Sequence, residues 1–232
     1  MKIAILNFSG NVGKSTIAKF LLLPRLPNAV HIAIETINSD TTNSEATLKL
    51  TGKDVQTVQE ELLISDDLIV DVGASNIDQF IKGMALFEGS IMDFDLFIIP
   101  VTPEKKQQVD TVSTVDTLID MGVSPKKIKI IFNRVQTDMV VADEFYSLIE
   151  YLSSIKVKTN KDSFIPDSDF FEQANEMGQT VETILSDETD YRAMIKKEDD
   201  RDKKLALTSK IVLSRLAGGI KTTLDKVAEY TL

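Results

Sequence analysis

Cysteine and tryptophan are absent from the 232-residue chain, and histidine occurs once, at His31. Without thiols there is no disulfide, no thiolate nucleophile and no Cys-ligated zinc or iron–sulfur centre, and one imidazole leaves almost no material for a His-built zinc site or a Ser-His-Asp triad. Long apolar runs are missing too: stretches such as Leu96 to Val101 fall far short of the roughly 20 residues a membrane span needs. No membrane span is expected. A Gly-rich turn follows Met1 to Asn7 at once and leaves no room for a signal peptide's apolar stretch, so the expected location is cytoplasmic. Positive charge is in deficit, with 26 Lys and Arg against 36 Asp and Glu and a net charge of −10, which argues against a generally basic nucleic-acid surface. Chemistry must therefore rest on carboxylates, lysine, backbone amides and a hard metal ion. Hydrophobic residues at 43% and charged residues at 27% are near the globular average, so the chain can bury the core of one domain, or one and a half.

Short runs rich in Ile, Val and Phe alternate with amphipathic stretches. The runs predict buried strands at about 2–7, 30–35, 67–72, 94–101 and 127–133, with a shorter one near 162–165. Helical patterns lie between and after them at about 14–22, 76–88, 105–121, 139–153, 168–177 and 203–230. This alternation predicts an α/β fold, a mostly parallel sheet flanked by helices on both faces, with ligands at the carboxyl ends of the strands. Pro24 and Pro27 close the first helix, Gly122 with Pro125 the fourth, and Gly178 stands as a C′ glycine. Residues 186–204 are the most charged stretch and suggest a boundary between a nucleotide-binding domain at 1–185 and a charged segment with a C-terminal helix at 186–232. From Tyr191 onward the charge is +4, leaving −14 on the first 190 residues.

The stretch Phe8-Ser9-Gly10-Asn11-Val12-Gly13-Lys14-Ser15-Thr16 follows an apolar strand and opens a helix, the context of a phosphate-binding loop. Backbone N–H groups and the helix N-terminus together attract anions. In such a loop Gly10 and Gly13 allow close approach, Lys14 bridges the β and γ phosphates of ATP, Ser15 ligates Mg²⁺ and Thr16 contacts the α phosphate. In Leu68-Ile69-Val70-Asp71-Val72-Gly73 an acid ends a buried strand, placing Asp71 to hold Mg²⁺ beside Ser15, with a helix cap as its simpler role.

These motifs resemble the ParA/MinD family of ATPases, whose deviant Walker A loop is K-G-G-x-G-K-[ST]. Ser9 stands where that family has a lysine reaching across a dimer, and Asn11 replaces the second glycine, so the lysine contact of the family's homodimer is missing. The resemblance implies a P-loop NTPase fold using ATP and Mg²⁺, with Lys14, an acid after the second strand and Asp71 as catalytic residues. Glu35 is the first candidate for that acid and Asp40 the second, either being able to serve instead as a helix cap or as a solvated acid. Asn133, ending Ile128 to Val135, would read adenine, or serve simply as a turn former; Pro166 would border the base, or simply stop a strand. Asp71 to Asn76 and Pro100 to Gln108 look most like the StbB plasmid-stability proteins. The implied activity is a weak, regulatory ATPase switch in plasmid stability, partition or conjugative transfer, recruited by a DNA-binding partner protein, with weak direct DNA binding at most. The rival is a non-hydrolysing nucleotide-binding adaptor.

Overall fold

The computed structural model describes residues 1–35, 47–51 and 53–232. Its centre is a seven-stranded sheet: β1 (Lys2–Ile5), β2 (Val30–Ile34), β3 (Thr47–Leu50), β4 (Leu68–Val72), β5 (Leu96–Val101), β6 (Ile128–Val135) and β7 (Phe164–Pro166). The order is β3-β2-β4-β1-β5-β6-β7 and every pairing is parallel. The helices are α1 (Lys14–Thr16, continuing as a π-helical stretch over Ile17–Leu22), α2 (Val55–Ile64), α3 (Ile77–Leu86), α4 (Lys105–Asp120), α5 (Val141–Glu144), α6 (Tyr146–Ser154), α7 (Phe170–Glu176), α8 (Val181–Leu185), α9 (Tyr191–Lys197) and α10 (Arg201–Thr231). This is the expected parallel α/β architecture. No helix among the described residues is long and apolar enough to cross a membrane.

Period-two alternation divides the strands between two cores. Ala4, Leu6, Val70, Val72, Phe97 and Ile99 face one cluster, closed by α2, α3, α4 and α6. Ile3, Ile5, Ile69, Ile98 and Ile131 face the other, closed by α1, α7, α8 and α10. The same parity puts Asp71, two residues after Ile69, and Asn133, two after Ile131, on the α1 face. The phosphate loop crosses the carboxyl edge of the sheet between the two faces, with Phe8 packed on the first core and α1 on the second. Phe20, Phe170 and Phe171 pack edge to face there, with ring centroids 5.4 to 6.0 Å apart, and join α1 to α7.

Several elements differ from expectation. The strand β3 and the helices α2, α8 and α9 were not expected, and the predicted helix at 139–153 is broken at Phe145 into α5 and α6. Within the charged stretch 186–204, Asp190 and Asp200 cap α9 and α10 by accepting from the backbone N–H groups of Ala193, and of Asp202 and Lys203. Asp40, the second candidate for the acid after β2, lies outside the described residues.

Helix α10 has 31 residues, about 46 Å at 1.5 Å per residue. Its buried positions begin at Leu213 and recur at Ala217, Ile220, Leu224 and Val227, a helical stripe seated on the α1 face. Arg25 ion-pairs with Asp225, Lys129 donates to the Tyr230 carbonyl at 3.1 Å, and the Tyr230 hydroxyl donates to the Lys158 carbonyl at 2.6 Å. The carboxyl half of α10 is thereby fixed to the first, sixth and seventh strand regions.

Candidate functional site

After β1 the chain turns over the carboxyl edge of the sheet through Asn7 to Gly13 and enters α1. Asn11 (φ 57°) and Gly13 (φ 92°) both take left-handed backbone, which asparagine tolerates and glycine adopts freely. Glycine is required at Gly13 for a second reason: a Cβ there would stand 2.0 Å from Nδ2 of Asn133. At Gly10 a Cβ would meet nothing within 4 Å, so the chain itself does not demand glycine at that position. Any demand there comes from what approaches the loop.

Val12 is buried, and its carbonyl accepts a hydrogen bond of 2.8 Å from Nδ2 of Asn133. The amide expected to read adenine holds the phosphate loop against the end of β6. Lys14 is only 8% exposed, and its Nζ donates to the carbonyls of Ser9 at 2.8 Å and Asn7 at 3.2 Å. Burial lowers its pKa to about 8, opposed by the charge of Asp71. Asp71, 4% exposed, is pushed up to about 6 by burial, against the hydrogen bond from Ser15 and the charge of Lys14, with the charge of Glu35 adding to the rise. The structure therefore brings Lys14, Ser15, Asp71 and Glu35 into one electrostatic neighbourhood.

Oδ1 of Asp71 has no hydrogen-bond partner among the described residues. A buried acceptor left in this state costs on the order of 1–3 kcal/mol, and a hard cation or its bound water would satisfy it. No group of three or more His, Asp or Glu able to hold a metal occurs among the described residues. A cation at Ser15 and Asp71 would complete its shell with phosphate oxygens and water, which is the habit of Mg²⁺. The residues fit that ion.

Beside the loop lies a cavity of about 560 Å³ whose lining includes Thr16, Asn133, Arg134, Pro166 and Phe171. Arg134 takes a left-handed backbone (φ 54°) at this rim, a conformation an arginine adopts only under local constraint. Pro166, in β7, lines the same cavity. Across the loop, Gly73 N–H donates to the Ile34 carbonyl at 2.9 Å and Glu35 N–H to the Leu50 carbonyl at 2.9 Å. The segments after β2 and β4 are joined directly.

The described structure is similar to MinD from Aquifex aeolicus, both alone (TM-score 0.51, covering 93% of this chain and 96% of that one) and in the MinC:MinD cell division protein complex (0.52, 93% and 95%), each at 16% identity. The fold is that of the ParA/MinD P-loop ATPases. Apo McdA from Cyanothece matches the same fold at a TM-score of 0.50 and 16% identity, over 78% of this chain and 92% of that one. No protein-family model matches the sequence, and no curated protein matches it either.

Within this ParA/MinD fold, one group escaped the sequence reading. Asn7 donates through Nδ2 to the Pro100 carbonyl and to Thr111 Oγ1, both at 2.8 Å, while its Oδ1 accepts from Ser9 N–H at 2.8 Å. Phe8 N–H donates to Thr114 Oγ1 at 3.1 Å, and the Ser9 hydroxyl donates to Asp110. Helix α4 therefore anchors the first half of the phosphate loop through Asp110, Thr111 and Thr114. Their signal was present as polar side chains at helical spacing, two of them completely buried, but nothing local says which strand end they face.

Proposed function

We propose that the chain is an ATP-dependent molecular switch of the ParA/MinD type. One observation carries this reading: Lys14, Ser15 and the buried, half-satisfied Asp71 meet under a loop that is left-handed at Asn11 and Gly13. Alternation of right- and left-handed backbone makes concave sets of N–H groups that bind anions, and α1 adds its first turn.

On nucleotide entry Lys14 would exchange the carbonyls of Asn7 and Ser9 for the β and γ phosphates, whose charge favours its protonated form. Thr16 would meet the α phosphate, and the base would enter the cavity bordered by Asn133, Arg134 and Pro166. Ser15 and Asp71 would hold Mg²⁺. When bound, that ion neutralises phosphate charge and orients the terminal phosphate. Glu35, whose charge already acts on Asp71, is the candidate to position water. The Gly73 to Ile34 hydrogen bond would couple the two segments that respond to a γ phosphate, so a partner surface could form or dissolve with nucleotide state.

A solved neighbour is MinD in complex with MinC, which supports a partner protein as the receiver of this switch. We assign the same role here, with a DNA-binding partner in plasmid stability, partition or conjugative transfer, the StbB-like setting, and a cytoplasmic location. A non-hydrolysing adaptor is the second reading, favoured by the inward hydrogen bond of Ser9 to Asp110 where the family's lysine would project.

Titration with a fluorescent ATP analogue tests the site. Lys14→Ala should weaken binding at least tenfold, Asp71→Ala should remove only its Mg²⁺-dependent part, and ATP should compete better than GTP. Unchanged affinity in Lys14→Ala sinks the assignment. Steady-state turnover with and without DNA and partner separates the switch from the adaptor.

A further inference from the structure

A second cavity, of about 230 Å³, opens between α8, the connection to α9, and α10. It is separate from the nucleotide site and no residue of the phosphate loop lines it. Three cationic side chains border it, Arg192, Lys210 and Arg215, in a chain whose net charge is −10. The cavity beside the phosphate loop has the opposite character, with Arg134 facing Asp167, Asp169, Glu172 and Glu176. The positive lining comes from the segment after Tyr191, whose net charge is +4 beside the −14 of the preceding residues.

Two carboxylates also border the cavity, but both are already engaged. Asp187 accepts from Thr189 N–H at 3.0 Å and from the Tyr191 hydroxyl at 2.5 Å, and Asp190 accepts from Ala193 N–H at 2.9 Å as the cap of α9. Hydrogen bonds from Thr189 and Tyr191, and then the charge of Lys210, hold Asp187 below the usual carboxylate range. The two arginines form no salt bridge among the described residues, and Lys210 makes only a long hydrogen bond of 3.9 Å to the Met177 sulfur among them. Local donors have satisfied the acids, while the guanidinium groups retain unused donors. The opposite wall is apolar, from buried Ile184 and Leu213.

We propose that this cavity is a binding site for the phosphate group of a small phosphorylated molecule. A guanidinium offers paired N–H donors that match two oxygens of a tetrahedral anion, and a phosphate monoester carries a charge of about −1.5 to −2 at neutral pH. Three cations against two carboxylates leave the lining net positive, and the two guanidinium groups offer the paired N–H donors that a phosphate group takes up. The volume is below the roughly 300 Å³ at which pockets for whole drug-sized ligands begin, so it admits the anionic group and a short apolar neighbour. A nucleic-acid backbone carries the same chemistry, but its polyanionic length would face the −14 of the remaining chain, while a concave site favours the free small molecule.

The site rests on observations independent of the ATP reading, and its test is arranged to keep the two apart. The full chain, saturated with an Mg²⁺-ATP analogue to occupy the phosphate loop, is titrated calorimetrically with inorganic phosphate and with pyrophosphate; Lys14→Ala is titrated in parallel, and a short DNA duplex forms a separate arm. Saturable binding is expected in the wild type and within twofold of it in Lys14→Ala, weakened at least tenfold in Arg192→Gln and in Arg215→Gln. Both arginines are exposed, so the two replacements leave the core intact, and each stands as a check on the other. Absence of saturable binding, wild-type affinity in both arginine variants, loss of binding in Lys14→Ala, or binding of the duplex without binding of either small anion would each overturn the proposal.

Discussion

The hydroxyl of Ser9 donates to the carboxylate of Asp110, binding the start of the phosphate loop to the amino-terminal part of α4. Ser9 is 6% exposed, so this position faces into its own subunit. The contact belongs to a cluster in which Asn7, Phe8, Thr111 and Thr114 also hold loop to helix. A double-mutant cycle of Ser9→Ala and Asp110→Ala, read by urea unfolding, should give a coupling energy of about 1.5–3 kcal/mol, the range for hydrogen bonds to charged groups. Strict additivity would mean that the contact contributes nothing.

The apo site is expected to be held at a cost in stability. Burial depresses Lys14 from 10.5 to about 8, which at about 1.4 kcal/mol per pKa unit sets a ceiling on the order of 3 kcal/mol. Lys14→Met removes the buried charge and keeps the apolar stem. It should raise the apo melting temperature while abolishing nucleotide binding; a lower melting temperature would refute the cost.

The same shift fixes a pH dependence. Because the folded value of Lys14 lies below the unfolded one, the unfolded chain holds more protons between about 8 and 10.5, and stability contributed by this group rises with pH across that window. Asp71 is shifted upward, from 3.8 to about 6, so its contribution falls as pH rises through that lower window. The difference between wild-type and Lys14→Met unfolding free energies should change across the upper window, and near and just above pH 6 as well, because without the Lys14 charge Asp71 titrates higher.

Two left-handed positions of the loop should respond differently. Gly13→Ala combines a positive φ with a Cβ 2.0 Å from the Asn133 amide, and should cost at least about 2 kcal/mol together with most nucleotide affinity. Asn11→Gly, at φ 57°, should be within about 0.5 kcal/mol of wild type. Thermal unfolding of the pair decides it, and equal effects would contradict the steric account.

Along α10, Leu224→Ala should destabilise the protein by about 2–5 kcal/mol, because Leu224 lies in the buried stripe on the α1 face. Leu205→Ala, in the exposed amino-terminal turns, should cost less than about 0.5 kcal/mol. Chemical denaturation of both variants would show whether the helix packs on the core only from Leu213 onward.

The core strands β1, β4, β5 and β6 were legible because each is a short apolar run buried on both faces, a pattern that survives without knowledge of neighbours. The edge strand β3 was not: Thr47 to Leu50 carries Lys49 and a half-exposed Leu48, and only pairing with β2 makes it a strand. Helix α2 escaped for a related reason, since Leu62, Leu63 and Ile64 end it with apolar residues on both faces and blur the helical period. The short α8 depends on a reciprocal cap between Thr180 and Thr183, a feature too local to stand out against a charged stretch.

For the site, the sequence by itself determined the order of the motifs: a phosphate loop after the first strand, an acid at Asp71 two residues beyond Ile69, and an amide at Asn133 two beyond Ile131. These follow from period-two alternation and from the glycine spacing, which are properties of the chain alone. Only the tertiary structure decided that Asn133 grips the loop at Val12, that Ser9 turns inward to Asp110, and that one oxygen of Asp71 is buried without a partner among the described residues. Those facts depend on the parallel order that sets β1 between β4 and β5, because residues up to 121 positions apart in the chain become hydrogen-bonded neighbours only when the sheet is assembled.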